Sequence, residues 1–201
     1  MGLAFWLASH TPAQVIEFES NGLKYQTLTK NGVTVMFAPL PAHLRDFAIF
    51  QVSVSNGSRA PCSIRPEDFQ FARQDGTVLR AMPARSVVQV LLEKGGRNDV
   101  VKLVSAYEAA LYGLSRTRST NGYEQRRQAA LAEVASTRIK AAAAASAIAM
   151  VPARLAPGQS IDGALFFPLS GGMIGPGRLV VRAGADTFEF KPLADPHALE
   201  Q

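Results

Sequence analysis

Cysteine is all but absent from this 201-residue chain, and the one present, Cys62, can form neither an intrachain disulfide nor a cysteine-based zinc site. A small residue of the core or of a sheet edge is its expected role. The three histidines, His10, His43 and His197, are isolated from one another, with no His-x-x-x-His or Glu-x-x-His pair on a helical stretch. Zinc and di-iron centres are therefore not expected. A Gly-x-Ser-x-Gly elbow for a serine nucleophile is missing too. Apolar runs are short: the longest charge-free helical stretch, Ala141 to Met150, falls far below the roughly 18 residues that a membrane-crossing helix needs. These absences leave no transmembrane segment, no catalytic residue, no cofactor site and no metal ligand to nominate.

Two stretches only superficially resemble chemistry. Glu67 and Asp68 are adjacent carboxylates, but neighbours in an extended segment point to opposite sides, so a solvated turn with Asp68 capping its own backbone is the better reading. Gly171 to Gly177 has the glycines of a phosphate loop without the Lys-Ser/Thr ending, and it leads into a strand rather than a helix. A loop between strands fits it better.

What the chain does have is segregated charge. Its formal net charge is +5. Between Ala84 and Met150 lie Arg85, Lys94, Arg97, Lys102, Arg116, Arg118, Arg126, Arg127, Arg138 and Lys140 against Glu93, Asp99, Glu108, Glu124 and Glu133. That segment holds the whole excess, and the flanks balance.

The flanks read as short strands. Asn21-Gly22 and Asn31-Gly32 are hairpin signals, because both residue types tolerate positive φ. In Ala48 to Ser55, Phe50, Val52 and Val54 alternate with Gln51, Ser53 and Ser55, which predicts a half-buried antiparallel strand. Asn56-Gly57-Ser58 and Asp75-Gly76 turn the chain around short strands at Ile64, Phe69/Phe71 and Thr77 to Arg80. After the central segment, Leu155 to Ser160 turns into Ile161 to Pro168, then Leu179 to Arg182 and Thr187 to Phe190. Turns about every 8 to 12 residues suit a sandwich rather than a βαβ sheet. The shared buried face is expected to include Phe50, Val52, Val54, Leu165, Phe167, Leu179 and Val181.

The period changes near Ala84. Val87, Val88, Leu91 and Leu92 followed by Gly95-Gly96 predict a helix, with a strand as competitor. Asn98 or Asp99 can cap a second helix with the stripe Val100, Leu103, Val104, Tyr107 and Leu111, ending at Gly113. A third is expected from Thr120 or Asn121, with Glu124 in capping-box position, continuous to the alanine run before Pro152 and about 40 Å long. Ala141 to Ala145 suits close packing within the chain in preference to a homo-oligomer seam.

Phe50 to Ser58, then Pro66-Glu67-Asp68-Phe69-Gln70-Phe71 and Asp75-Gly76, then Leu155-Ala156-Pro157-Gly158-Gln159-Ser160 with Gly163 and Phe166-Phe167-Pro168, form an ordered set. It resembles the immunoglobulin-like domains of unknown function found in exported and lipoprotein-anchored bacterial proteins. The match covers about residues 45 to 82 and 153 to 191, and the helical segment lies where that family has a shorter connection. The resemblance implies a sandwich and export, with no catalytic residues to carry over.

The expected fold is thus mainly β with an α insertion: an immunoglobulin-like antiparallel sandwich over 14–83 and 153–192, interrupted over 84–152 by a helical hairpin of two or three helices. Residues 193–201 read as a tail. Residues 1–13, with the apolar run Leu3 to Ala8 and Thr11-Pro12-Ala13, read as the remnant of a truncated signal peptide lacking a basic start. Localisation in a bacterial periplasm or envelope is the corresponding expectation.

One constellation remains. Arg116, Arg118, Arg126 and Arg127 surround a helix-helix turn with Glu124 as the nearest acid, and arginine pairs bidentately with carboxylate or phosphate. The expected function is a non-enzymatic binding or structural module whose basic tip docks an acidic protein or an anionic membrane surface. The rivals are a hydrolase with its site beneath the helices as a lid, and a cytoplasmic nucleic-acid binder using the tip. Nucleic acid ranks last, because the body is neutral and Tyr123 is the only aromatic within the tip.

Overall fold

The computed structural model describes residues 14–41, 44, 46–99, 136–169 and 174–193. The first hairpin joins β1 (Ile16–Ser20) to β2 (Leu23–Lys30), and the second joins β2 to β3 (Val33–Pro39). Both turns are Asn-Gly pairs in the left-handed region, with φ of 50° at Asn21 and 48° at Asn31, as the sequence predicts. β4 (Phe47–Asn56) pairs with β3 on one side and with β9 (Ser160–Pro168) on the other, completing the sheet β1-β2-β3-β4-β9.

The second sheet has the order β11-β10-β6-β7, from β6 (Phe69–Arg73), β7 (Val78–Arg80), β10 (Gly177–Ala183) and β11 (Asp186–Glu189). Two short strands, β5 (Cys62–Ile64) and β8 (Ala153–Leu155), form a separate antiparallel pair. The chain crosses between sheets from β4 to β6, from β7 to β9 and again from β9 to β10. This is the crossed connectivity of an immunoglobulin-like sandwich. All seven residues expected on the shared inner face are buried in one apolar cluster. Its centre is aromatic: Phe50 lies edge-on to Phe71 and 5.0 Å, centroid to centroid, from Phe167.

The central segment is helical at both described ends. α1 (Ala84–Lys94) stops at Gly95, so helix wins over strand there. α2 (Thr137–Ile148) carries the alanine run. Two expectations are corrected here. The third helix is not continuous from Thr120 or Asn121, because Ser136 is extended (φ −80°, ψ 126°) and α2 starts after it. Serine and threonine compete for backbone hydrogen bonds inside a helix and suit its start. β4 is also not half-buried. Gln51 and Ser53, read as solvent-facing, are buried, because α1 and α2 cover that face of the sheet.

The helices meet the sheet through a second apolar cluster. Val87 and Leu91 of α1 and Ala141, Ala142, Ala144, Ala145 and Ile148 of α2 cluster with Tyr25, Ala38, Phe47, Ile49 and Phe166 of the sheet. The alanine run packs within the chain, where short side chains let the helix backbones approach. A Cβ on Gly95 would lie 3.1 Å from that of Ala141. Both connectors of the insertion are bonded to the outer edge of β9: Met82 N–H donates to Phe166 C=O at 2.8 Å and Met150 N–H to Ala164 C=O at 2.9 Å. The edge is thereby capped instead of left as a template for another strand. Gly163 makes this possible, since a Cβ there would fall 2.6 Å from the Met150 Cα.

Asn56 ties the two flanks. Fully buried, it donates from Nδ2 to Ala60 C=O and to Leu155 C=O, 99 positions later, and its Oδ1 accepts from the Ser58 N–H and hydroxyl. Its backbone closes the same knot, accepting from Gly158 N–H and donating to Gln159 C=O. Replacing Asn56 by Ala removes all four side-chain bonds and takes this donor from the Leu155 carbonyl in the interior. The expected loss is about 2 to 4 kcal/mol in urea denaturation, and a loss under about 1 kcal/mol refutes the assigned role.

Candidate functional site

Arg116, Arg118, Arg126 and Arg127 lie outside the described residues, as do all three histidines. What is described is the base that carries the arginine-bearing segment. At its N-terminal side the buried Asp99 carboxylate accepts the Gly96 N–H at 2.6 Å, and Asp99 N–H returns to Gly96 C=O. At its C-terminal side Ser136 C=O accepts the first helical bond from Lys140 N–H. Arg85, Lys94, Arg97 and Arg138 of the insertion are exposed, and among its described residues Glu93 is the one exposed acid.

Beneath the helices the sheet is not purely apolar. Gln51, Ser53 and Asp162 are buried on the helix-facing side of β4 and β9, with Ser53 and Asp162 directly opposite in register. Gln51 is wholly buried, and neither end of its amide has a hydrogen-bond partner among the described residues. An unsatisfied buried amide costs about 1 to 3 kcal/mol. Tyr25 sits on the same face, stacked on Phe18 at 5.2 Å, and burial pushes its phenol from the ordinary 10.0 up to about 12.

Cys62 is buried in β5, and its thiol is raised, first by burial and then by Asp186 and Asp68. A raised thiol is a poor nucleophile, in keeping with a packing role. Asp68 accepts the Arg65 N–H at 2.8 Å, the local capping expected of it. Among the described residues no group of three or more His, Cys, Asp or Glu gathers as a metal site would require.

The outer face of the second sheet is different. Leu179, Val181 and Ala183 of β10 point inward, so Arg178, Val180 and Arg182 point out. Register sets Val180 beside Gln70 and Gln70 beside Arg80, with Arg178 beside Ala72 and Ala72 beside Val78. Arg178 meets Glu189 at 3.7 Å with both side chains about half exposed, a pair of little energetic weight. Arg80 and Arg182 have no ion-pair partner among the described residues. Sequence reading passed over this set because the flanks are neutral in sum. The signal was the alternation of Arg178 and Arg182 with buried apolar residues.

No protein-family model matches the chain, and neither does any curated protein or solved structure.

Two outcomes follow from the buried groups. Gln51→Met, which keeps the volume and removes the orphaned amide, is expected to stabilise the fold by about 1 kcal/mol in urea denaturation; destabilisation by that amount overturns the reading. The Tyr25 phenol loses its proton near 10 in the unfolded chain and near 12 in the folded one. Its contribution is therefore complete below pH 10 and is lost as pH rises towards 12, by about 2 to 3 kcal/mol. Compared with Tyr25→Phe, the native chain should lose that much more stability between pH 9 and pH 12, and parallel profiles would refute the assignment.

Proposed function

We propose that this chain is a non-enzymatic binding or structural module of a bacterial cell envelope, engaging an acidic partner through the basic segment on its helical insertion. The observation that carries this reading is the union of charge and anchorage. The insertion bears the entire formal net charge, and its base is stitched to β9 and seated in an apolar layer. A charged segment held at both ends on a fixed base loses less freedom on docking than a loose tail. A binding role is favoured over a lidded hydrolase because the described helices pack with alanine against the sheet as a structural layer. The envelope assignment rests on the resemblance to immunoglobulin-like domains of exported and lipoprotein-anchored proteins.

The test replaces Arg116, Arg118, Arg126 and Arg127 together by Gln. Stability is expected to stay within about 1 kcal/mol, as for exposed charges. Binding to poly-L-glutamate, strong at 50 mM salt and screened at 300 mM, is expected to weaken about tenfold. Unchanged binding by the variant refutes the proposal.

A further inference from the structure

We infer that the open face of the sheet β11-β10-β6-β7 is a second docking surface, fitted to an acidic protein. The inference is independent of the insertion, since it concerns a different sheet on different residues. Among the described residues, three arginines, Arg80, Arg178 and Arg182, stand on this face against one acid, Glu189. A flank of balanced sequence charge thus presents a local excess of two positive charges. Between the arginines lie small apolar or neutral side chains, Ala72, Val78, Val180 and Gln70, and Val78 is 52% exposed.

Spacing selects the partner. Arg178 and Arg182 are four residues apart on one strand, roughly 13 Å, and Arg80 lies two strands away from β10, roughly 10 Å. Backbone positions so spaced let the three guanidiniums spread over the face, where carboxylates distributed on a protein surface can meet each in turn. A bilayer is disfavoured because, among the described residues, the face offers no Trp, Tyr or Phe to enter the interface. Single-stranded nucleic acid lacks an aromatic platform here for the same reason.

Size sets the strength. The strands of seven, five, four and three residues cover roughly 300 Å² on this side, under half of one partner's share of a standard interface. Docking at this face alone is therefore weak and transient, and gains when a second contact on the same partner is engaged.

The test uses the full chain, labelled for NMR and titrated with poly-L-glutamate, with vesicles containing anionic phosphatidylglycerol, and with inorganic phosphate. Poly-L-glutamate is expected to shift the amides of 78–80 and 178–182 in a salt-sensitive manner. Arg80→Glu, Arg178→Glu and Arg182→Glu together should weaken that response at least tenfold with the fold retained. The variant lacking Arg116, Arg118, Arg126 and Arg127 should keep it, which separates this surface from the one proposed above. Equal or stronger shifts with vesicles or phosphate, or no shift on this face with poly-L-glutamate, overturn the inference. Should the triple reversal disturb the fold, Arg182→Gln alone, expected to weaken the response about threefold, decides the matter.

Discussion

The pairing of β4 with β9 is the constraint on which the rest of the structure depends. Nine residue pairs, from Phe47 opposite Pro168 to Ser55 opposite Ser160, join strands from opposite sides of the insertion. Every residue of β4 except Ser55 is buried, so this strand contributes to the sandwich core through Phe50, Val52 and Val54 and to the helix layer through Phe47 and Ile49. Ala48 and Leu165 serve the first cluster, Ala164 and Phe166 the second. Neither layer is complete until β9 arrives. Asn56 then locks the end of the pair with bonds to both flanking turns, an arrangement that leaves its amide fully satisfied in the interior.

The sandwich edges are handled differently from one another. β9 is capped by the insertion's connectors, whereas at the other end the sheets are tied by side chains. Gln26, buried in β2, exchanges two hydrogen bonds with the backbone of Lys191, whose ammonium reaches Glu17 at 3.0 Å. Asn31 meets Asp186 at 2.8 Å, and Lys30 lies over the Phe188 ring. β1 keeps an edge with Ile16 and Phe18 exposed but alternating with Glu17 and Glu19, a charged pattern that discourages strand addition. The described helices α1 and α2 are thus packed as a layer on the first sheet.

Much of this was legible in the sequence because the local signals agreed with the tertiary outcome. Asn21-Gly22 and Asn31-Gly32 could only be tight turns, and the alternation about Phe50, Val52 and Val54 gave the inner face directly. Gln51 and Ser53 misled for a physical reason. Alternation reports polarity and assumes that polar means wet, yet here apolar helix faces roof the polar rows. Ser136 misled because a run of good helix formers on either side masked a residue that prefers to begin a helix. The arginines of the second sheet were hidden by summing charge along the chain, when strands bring residues more than a hundred positions apart, such as Arg80 and Arg182, onto one face. Asn56 and the Leu155 to Ser160 turn, far apart in sequence, are joined by hydrogen bonds that no local signal announces.

The distance along the chain between β4 and β9 has a consequence in time. Asn56 and Leu155 are separated by 99 positions, which at about 5 to 20 residues per second places their synthesis about 5 to 20 s apart. Throughout that interval β4 has no final neighbour on one side and no sandwich partner on β9 to share its phenylalanines. A strand with apolar residues on both faces is a hazard for misassociation while it waits. The chain therefore spends its most vulnerable period with the central strand of its fold already made and its completing partner still to come, and the early β2-β3-β4 meander is the element that must hold that strand in register until the last third is delivered.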